Sequence, residues 1–299
     1  MEDVERVGRG LPRFPGVSRL RRRQWAAVHA VNAGSDTVSV FSVSQVIDSG
    51  GTFPVGVTVA QGLVYVLNAE NGGSVSGFRV AGGKLHPVEN SNPSLGLTIP
   101  TDTTQFTSTP GQVAFSPDGS QLIVTTKGSG NSVDVFGVRA DGRLSSTPVV
   151  NSESGALPFA VSFDAAGHLL VAEAGADALA SFDLNRDGTL TALDAVVTSQ
   201  AATCWVAPAQ GYFYTSNAGA PSVTGFAAAP NGHLTSLGNT STDPGAVDAA
   251  ASADGKYLYV QTGGKGVVDE FSAQADGSLQ PIGSVLVPDA AGGEGIVAF

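Results

Sequence analysis

Three charged side chains stand where a repeating pattern otherwise places neutral ones: Lys127, Glu173 and Asp248. A carboxylate can act as a general base on water. An ammonium can stabilise the oxyanion formed when that water adds to a carbonyl. Glu173 closes the apolar run "LLVAE", Lys127 follows Thr126 at the end of "LIVTT", and Asp248 interrupts "AVDAAA". Equivalent positions elsewhere are also polar: Gln112 matches Asp248, and Asn32, Asn68, Thr126, Asn217 and Thr262 match Glu173. Glu173, Asp248 and Lys127 are therefore the candidate catalytic groups, and the other six are candidate substrate contacts. Asn and Thr at strand ends also bond locally to the backbone, whereas Glu is a poor turn former there.

Other reactive residue types offer less. His29, His86, His168 and His233 fall in unrelated parts of the pattern, so a His-based zinc site has no convergent ligands. Cys204, the single cysteine, reads as a small buried hydrophobe, and Trp205 as packing between repeats. No Gly-rich segment joins a strand to a helix in the way nucleotide binding requires. The Asp-Gly turns lack the spaced acidic ladder of a calcium loop. Neither a metal nor a cofactor is expected.

Charge narrows the partners. The chain has a formal net charge of −11 over 299 residues. Seven of its 15 basic residues are arginines before Gln24, leaving eight basic against 23 acidic side chains beyond them. An acidic body repels phosphate backbones, so nucleic acid is not an expected partner. No apolar run approaches the ~20 residues a membrane helix needs. "SRLRRRQWAAVHAVNAG" imitates an export signal, but its apolar stretch is short, contains His29 and runs straight into repeat sequence. A cytoplasmic monomer is expected, with secretion left open. Residues 1–24 read as an atypical, basic, disordered segment, and residues 25–299 as one domain.

The elements that position these residues come from a repeat. "TVSVF", "SVSGF", "SVDVF", "ALASF", "SVTGF" and "VVDEF" end on Phe41, Phe78, Phe136, Phe182, Phe226 and Phe271, with spacings of 37, 58, 46, 44 and 45 residues. The long interval contains the polar insertion "ENSNPSLGLTIPTDTTQ", which reads as a loop. Each unit has four strand-like pieces: an apolar one, a β-branched or aromatic one such as "YLYVQ", one alternating with period two up to the Phe, and a short outer one. Turns such as Asp118-Gly119 and Asp276-Gly277 separate them. Four strands per unit of about 45 residues predict an all-β propeller of six recognisable blades. No helix is expected after residue 25, and the Phe ladder should lie between blades. Second-to-third-strand loops and blade-to-blade crossings share one face, which gathers the candidate site at the channel mouth.

The chain ends on "GIVAF", nearly the "GQVAF" that opens a unit at 111–115. An inner strand without a successor suggests that residues 295–299 complete the blade begun at 25–43, hiding two strand edges. The competing reading takes "FPGVSRL" as a degraded first strand, but arginines suit a packed inner strand badly.

At "PGQVAFSPDGSQLIVT", "VNAGSDTVSVFSV", "LVYVLNAENGGSVSGFRV" and "ADGSLQPIGSV" the sequence resembles the lactonase family, across residues 26–299. That family includes 6-phosphogluconolactonases of the cycloisomerase type and fungal carboxymuconate-lactonizing enzymes, and its members have seven blades. The resemblance implies a lactone hydrolase acting on a small sugar or carboxylic-acid lactone, with lactonization as the reverse option. The competing class is a non-catalytic ligand-binding or scaffold propeller. The family's Pro-Arg-His motif falls on Pro110-Gly111-Gln112, where Arg and His are missing. Its Val-Asn-Glu motif falls on Val171-Ala172-Glu173, where Glu is kept. The first departure counts against 6-phosphogluconolactonase activity itself.

Overall fold

The computed structural model describes residues 29–32, 35–40, 45–100 and 105–298. They build six antiparallel sheets in chain order. Sheet one has three strands: β1 (His29–Asn32), β2 (Thr37–Val40) and β3 (Gln45–Asp48). Sheet two holds β4 (Pro54–Ala60), β5 (Leu63–Asn68), β6 (Ser74–Ala81) and β7 (Lys84–Pro87). Sheet three holds β8 (Val113–Phe115), β9 (Gln121–Thr125), β10 (Ser132–Gly137) and β11 (Val149–Ser152). Sheet four holds β12 (Pro158–Phe163), β13 (Leu169–Glu173), β14 (Ala178–Leu184) and β15 (Leu190–Val197). Sheet five holds β16 (Thr203–Ala209), β17 (Tyr212–Asn217), β18 (Ser222–Ala228) and β19 (Leu234–Ser241). Sheet six holds β20 (Ala246–Ala251), β21 (Tyr257–Thr262), β22 (Val267–Ala273) and β23 (Leu279–Leu286). This is the predicted all-β propeller, with five four-stranded blades and a smaller first sheet. Phe41 and the basic segment 1–24 lie outside the described residues.

The turns form for local reasons. Asp118 folds its carboxylate back onto the Ser120 N–H (3.0 Å) and the Ser116 hydroxyl (2.7 Å), and Gly119 supplies the positive φ of 70°. Asp254 repeats the arrangement, accepting from Ser252 and from the Lys256 N–H.

Apolar burial occurs between blades. One cluster joins Leu63, Tyr65 and Leu67 of sheet two to Leu122, Val124 and Phe136 of sheet three. Others join sheets three and four, four and five, and five and six, and a smaller one joins one and two. Phe78, Phe136, Phe182, Phe226 and Phe271 all lie in these seams, none more than 4% exposed. The Phe ladder is thus the repeated wedge that each blade drives against the one before it. The forward face of sheet six is more open, with Tyr257 40% and Val285 51% exposed.

Two expectations need correction. Two four-residue helical turns follow residue 25: α1 (Gln105–Ser108) and α2 (Lys127–Gly130). The second closes because Asn131 takes a left-handed conformation and its N–H reaches the Lys127 carbonyl at 2.7 Å. Residues 287–298 form no strand, and among the described residues β1 pairs with β2 alone, so no C-terminal strand closes the first sheet. Instead Gly292 N–H bonds the Gly263 carbonyl, Gly295 turns at φ 105°, and Ile296 N–H reaches Asp248 Oδ2 at 3.2 Å. These bonds carry the segment across the end of sheet six rather than along β1. Val161 N–H makes the equivalent bond to Gln112 Oε1 between sheets three and four, and Gln112 and Asp248 hold the same repeat position.

Candidate active site

The inner strands carry a shared irregularity. The register between first and second strands slips between Pro54 and Gly56, Pro158 and Val161, Thr203 and Trp205, and Ala246 and Asp248. A bulge re-aims the side chains beside it. Here it falls on Cys204 in sheet five and on Val247, just before Asp248, in sheet six, near the end where the blade crossings emerge.

Lys127 is held by the insertion between sheets two and three. The first half of that insertion runs along β6, whose Val75 and Gly77 N–H groups bond the Pro93 and Ser91 carbonyls. It then leads to α1, which delivers the Phe106 carbonyl 2.8 Å and the Thr109 hydroxyl 3.4 Å from Lys127 Nζ. The ammonium also lies 4.5 Å from the centroid of the Phe159 ring. Burial lowers the Lys127 pKa, and the Glu294 carboxylate opposes that shift.

Asp248 is 6% exposed. Burial, helped by the like charge of Glu294, pushes its carboxyl up to about 7 against the opposing N–H bonds of Ala249 (2.7 Å) and Ile296. The charges of Lys127, Asp248 and Glu294 all act on the Cys204 thiol, which burial pushes up to about 12. A thiol so raised is no nucleophile at neutral pH. Lys127 follows β9 of sheet three, Cys204 lies in β16 of sheet five and Asp248 in β20 of sheet six, so the charges of Lys127 and Asp248 reach Cys204 from two other blades.

Glu173 does not join that group. It shares the face of β13 that carries Leu169 and Val171, toward sheet three. It is 6% exposed, and among the described residues no donor bonds its carboxylate. Burial, then the charge of Glu153, pushes it up to about 7.

The other candidates are hydrogen-bonded within the scaffold, most of them inside their own blades. Asn217 accepts from Thr203 Oγ1 (2.8 Å) and donates to Ser222 and Thr224. Thr126 bonds Ser132, and Thr262 donates to the Val267 carbonyl. Asn68 donates to Ser76 Oγ, while its Oδ1 is buried without a partner among the described residues. Gln112 bonds Val161 as described. The Asn32 side chain lies outside the described residues. Among the described residues no group of three or more His, Cys, Asp and Glu side chains could hold a metal ion.

Residues 59–207 match the family model described as "Lactonase, 7-bladed beta-propeller". The chain belongs to that family. No curated protein matches it. Solved structures that resemble this lactonase-family chain include a candidate 6-phosphogluconolactonase from Bacteroides uniformis, 21% identical, with a TM-score of 0.71, covering 89% of this chain and 79% of that one. A second candidate 6-phosphogluconolactonase, from Bacteroides fragilis, is 20% identical at TM-score 0.69, covering 89% and 78%. The periplasmic gluconolactonase of Pseudomonas aeruginosa is 18% identical at TM-score 0.68, covering 87% and 77%. At these identities the likeness establishes the fold.

Sequence reasoning missed four contributors. Phe159 gives only a generic inner-strand signal. Phe106 and Thr109 had one, since the overlong interval between Phe78 and Phe136 marks the insertion that positions them. Glu294 had none.

Proposed function

We propose that this lactonase-family protein hydrolyses a small lactone at the channel mouth, with Asp248 as general base and Lys127 as the cation facing the developing oxyanion. The observation that supports this best is that Lys127 and Asp248, from two different blades, both lie near enough to Cys204 for their charges to act on its thiol. Asp248 takes a proton from water as the oxygen adds to the lactone carbonyl, and Lys127 stabilises the resulting oxyanion. Collapse breaks the ring C–O bond, and the proton on Asp248 passes to the leaving alkoxide. The product is the hydroxy acid, and Asp248 is ionised again. Because its carboxyl is raised to about 7, the rate should climb as pH rises through that value.

A pH-stat screen against sugar lactones, carboxymuconolactone and simple γ- and δ-lactones tests the reading. Asp248→Asn should lower kcat by about 10²–10⁴-fold, and Glu173→Gln should leave it within a few fold. Loss of turnover in Glu173→Gln with Asp248→Asn fully active would move the base to Glu173. A second reading, a ligand-binding propeller without chemistry, is favoured by Gln112, which stands at the motif's His position and is committed to Val161. Binding without turnover on any lactone would establish it.

A further inference from the structure

The two faces of the propeller carry different charge. In an antiparallel meander, first-to-second and third-to-fourth turns share one face, while second-to-third loops and blade crossings share the other. Arg143, Arg186 and Lys256 lie in turns of the first kind, and Arg79 pairs with Leu63 at the same end, so this face balances its Asp118, Asp141, Asp187, Asp254 and Asp276. The mouth face keeps Lys127 and Lys265 as its basic residues among those described. Against them stand Glu70, Glu153, Asp177, Asp243 and Glu294, besides Glu173 and Asp248.

Among the described residues the one cation at the centre has two of its three N–H donors committed, which leaves one for a carbonyl oxygen. Lys127 Nζ donates to the Phe106 carbonyl and the Thr109 hydroxyl and rests against the Phe159 ring. A phosphate dianion is best held by a bidentate guanidinium or several free N–H donors. No arginine could be accommodated at Gly111: a Cβ there would lie 2.6 Å from the Phe159 carbonyl oxygen and 2.6 Å from Thr125 Oγ1. The position is closed by backbone of the next blade, so the loss of the motif's arginine is built into the packing.

Resting on the lactonase reading above, we infer that the site takes an uncharged ring lactone and rejects its phosphorylated counterpart. The repulsion comes from the acidic mouth face, and the missing attraction from the closed Gly111 position.

Calorimetry on the full chain can test selection without turnover, using 1,5-anhydroglucitol and its 6-phosphate. The uncharged ring should bind at least tenfold more tightly at low ionic strength. The gap should narrow with added salt, because screening weakens repulsion from exposed carboxylates. Glu70→Lys, on the mouth face but outside the proposed machinery, should improve 6-phosphate binding several-fold and leave the uncharged ring unchanged. Equal or tighter binding of the 6-phosphate, a salt-independent ratio, or no binding of either ring would overturn the inference. Selective binding without hydrolysis of glucono-δ-lactone would uphold it and refute the lactonase reading instead.

Discussion

Replacing Asp248 by Asn should stabilise the protein above pH 7 while lowering the lactone turnover proposed for it. Burial lifts the Asp248 carboxyl from an ordinary 3.8 to about 7. The folded state therefore keeps a proton that the unfolded chain has already released. Between those two values stability falls as pH rises: the contribution is complete below 3.8 and gone above about 7. A shift of that size corresponds to about 4 kcal/mol, an upper figure for a buried carboxylate. Asn carries no charge and escapes this loss. It forfeits something else, because both carboxylate oxygens accept backbone N–H groups, from Ala249 and Ile296, and an amide offers one oxygen. That exchange costs about 1–3 kcal/mol. The variant should be about 1–3 kcal/mol more stable than wild type at pH 8.5, and no more stable at pH 4. Guanidinium melts at several pH values and constant ionic strength would show the two stability curves crossing. Parallel curves, or a variant less stable at pH 8.5, would refute the assignment of Asp248 as a desolvated carboxylate.

Phe136→Ala should cost about 3–5 kcal/mol on denaturant melting, since its ring is wholly buried between sheets two and three. A loss below about 1 kcal/mol would show that the seam does not depend on the Phe ladder. Gly111→Ala should destabilise by about 1–3 kcal/mol because its Cβ meets backbone that cannot give way. Gly137→Ala, where a Cβ meets nothing within 4 Å, should be close to neutral, and equal melting of the two variants would contradict the packing described.

Much of the fold is legible in the chain because a propeller repeats one local solution. Period-two alternation, Asp-Gly turns and a recurring Phe each reflect nearest-neighbour physics, so six units could be counted without coordinates. The polar ending of each second strand was equally visible, but its use was not. Asn217, Thr126 and Thr262 meet hydrogen-bond partners within their own blades, and sequence alone cannot tell such bonds from bonds to a ligand. The proposed site needed the tertiary structure, since Lys127 and Asp248 belong to different blades and act on Cys204 only through the packing of one blade against another. Glu173 illustrates the limit. Its motif is clear in the sequence, yet the face of β13 on which it falls turns it into a seam beside Glu153. "GIVAF" reads as an inner strand, but residues 295–298 form none; the bond from Ile296 to Asp248 depended on how sheet six meets this segment. Local periodicity determines which residues form strands, and the geometry between blades determines which side chains can act on one another.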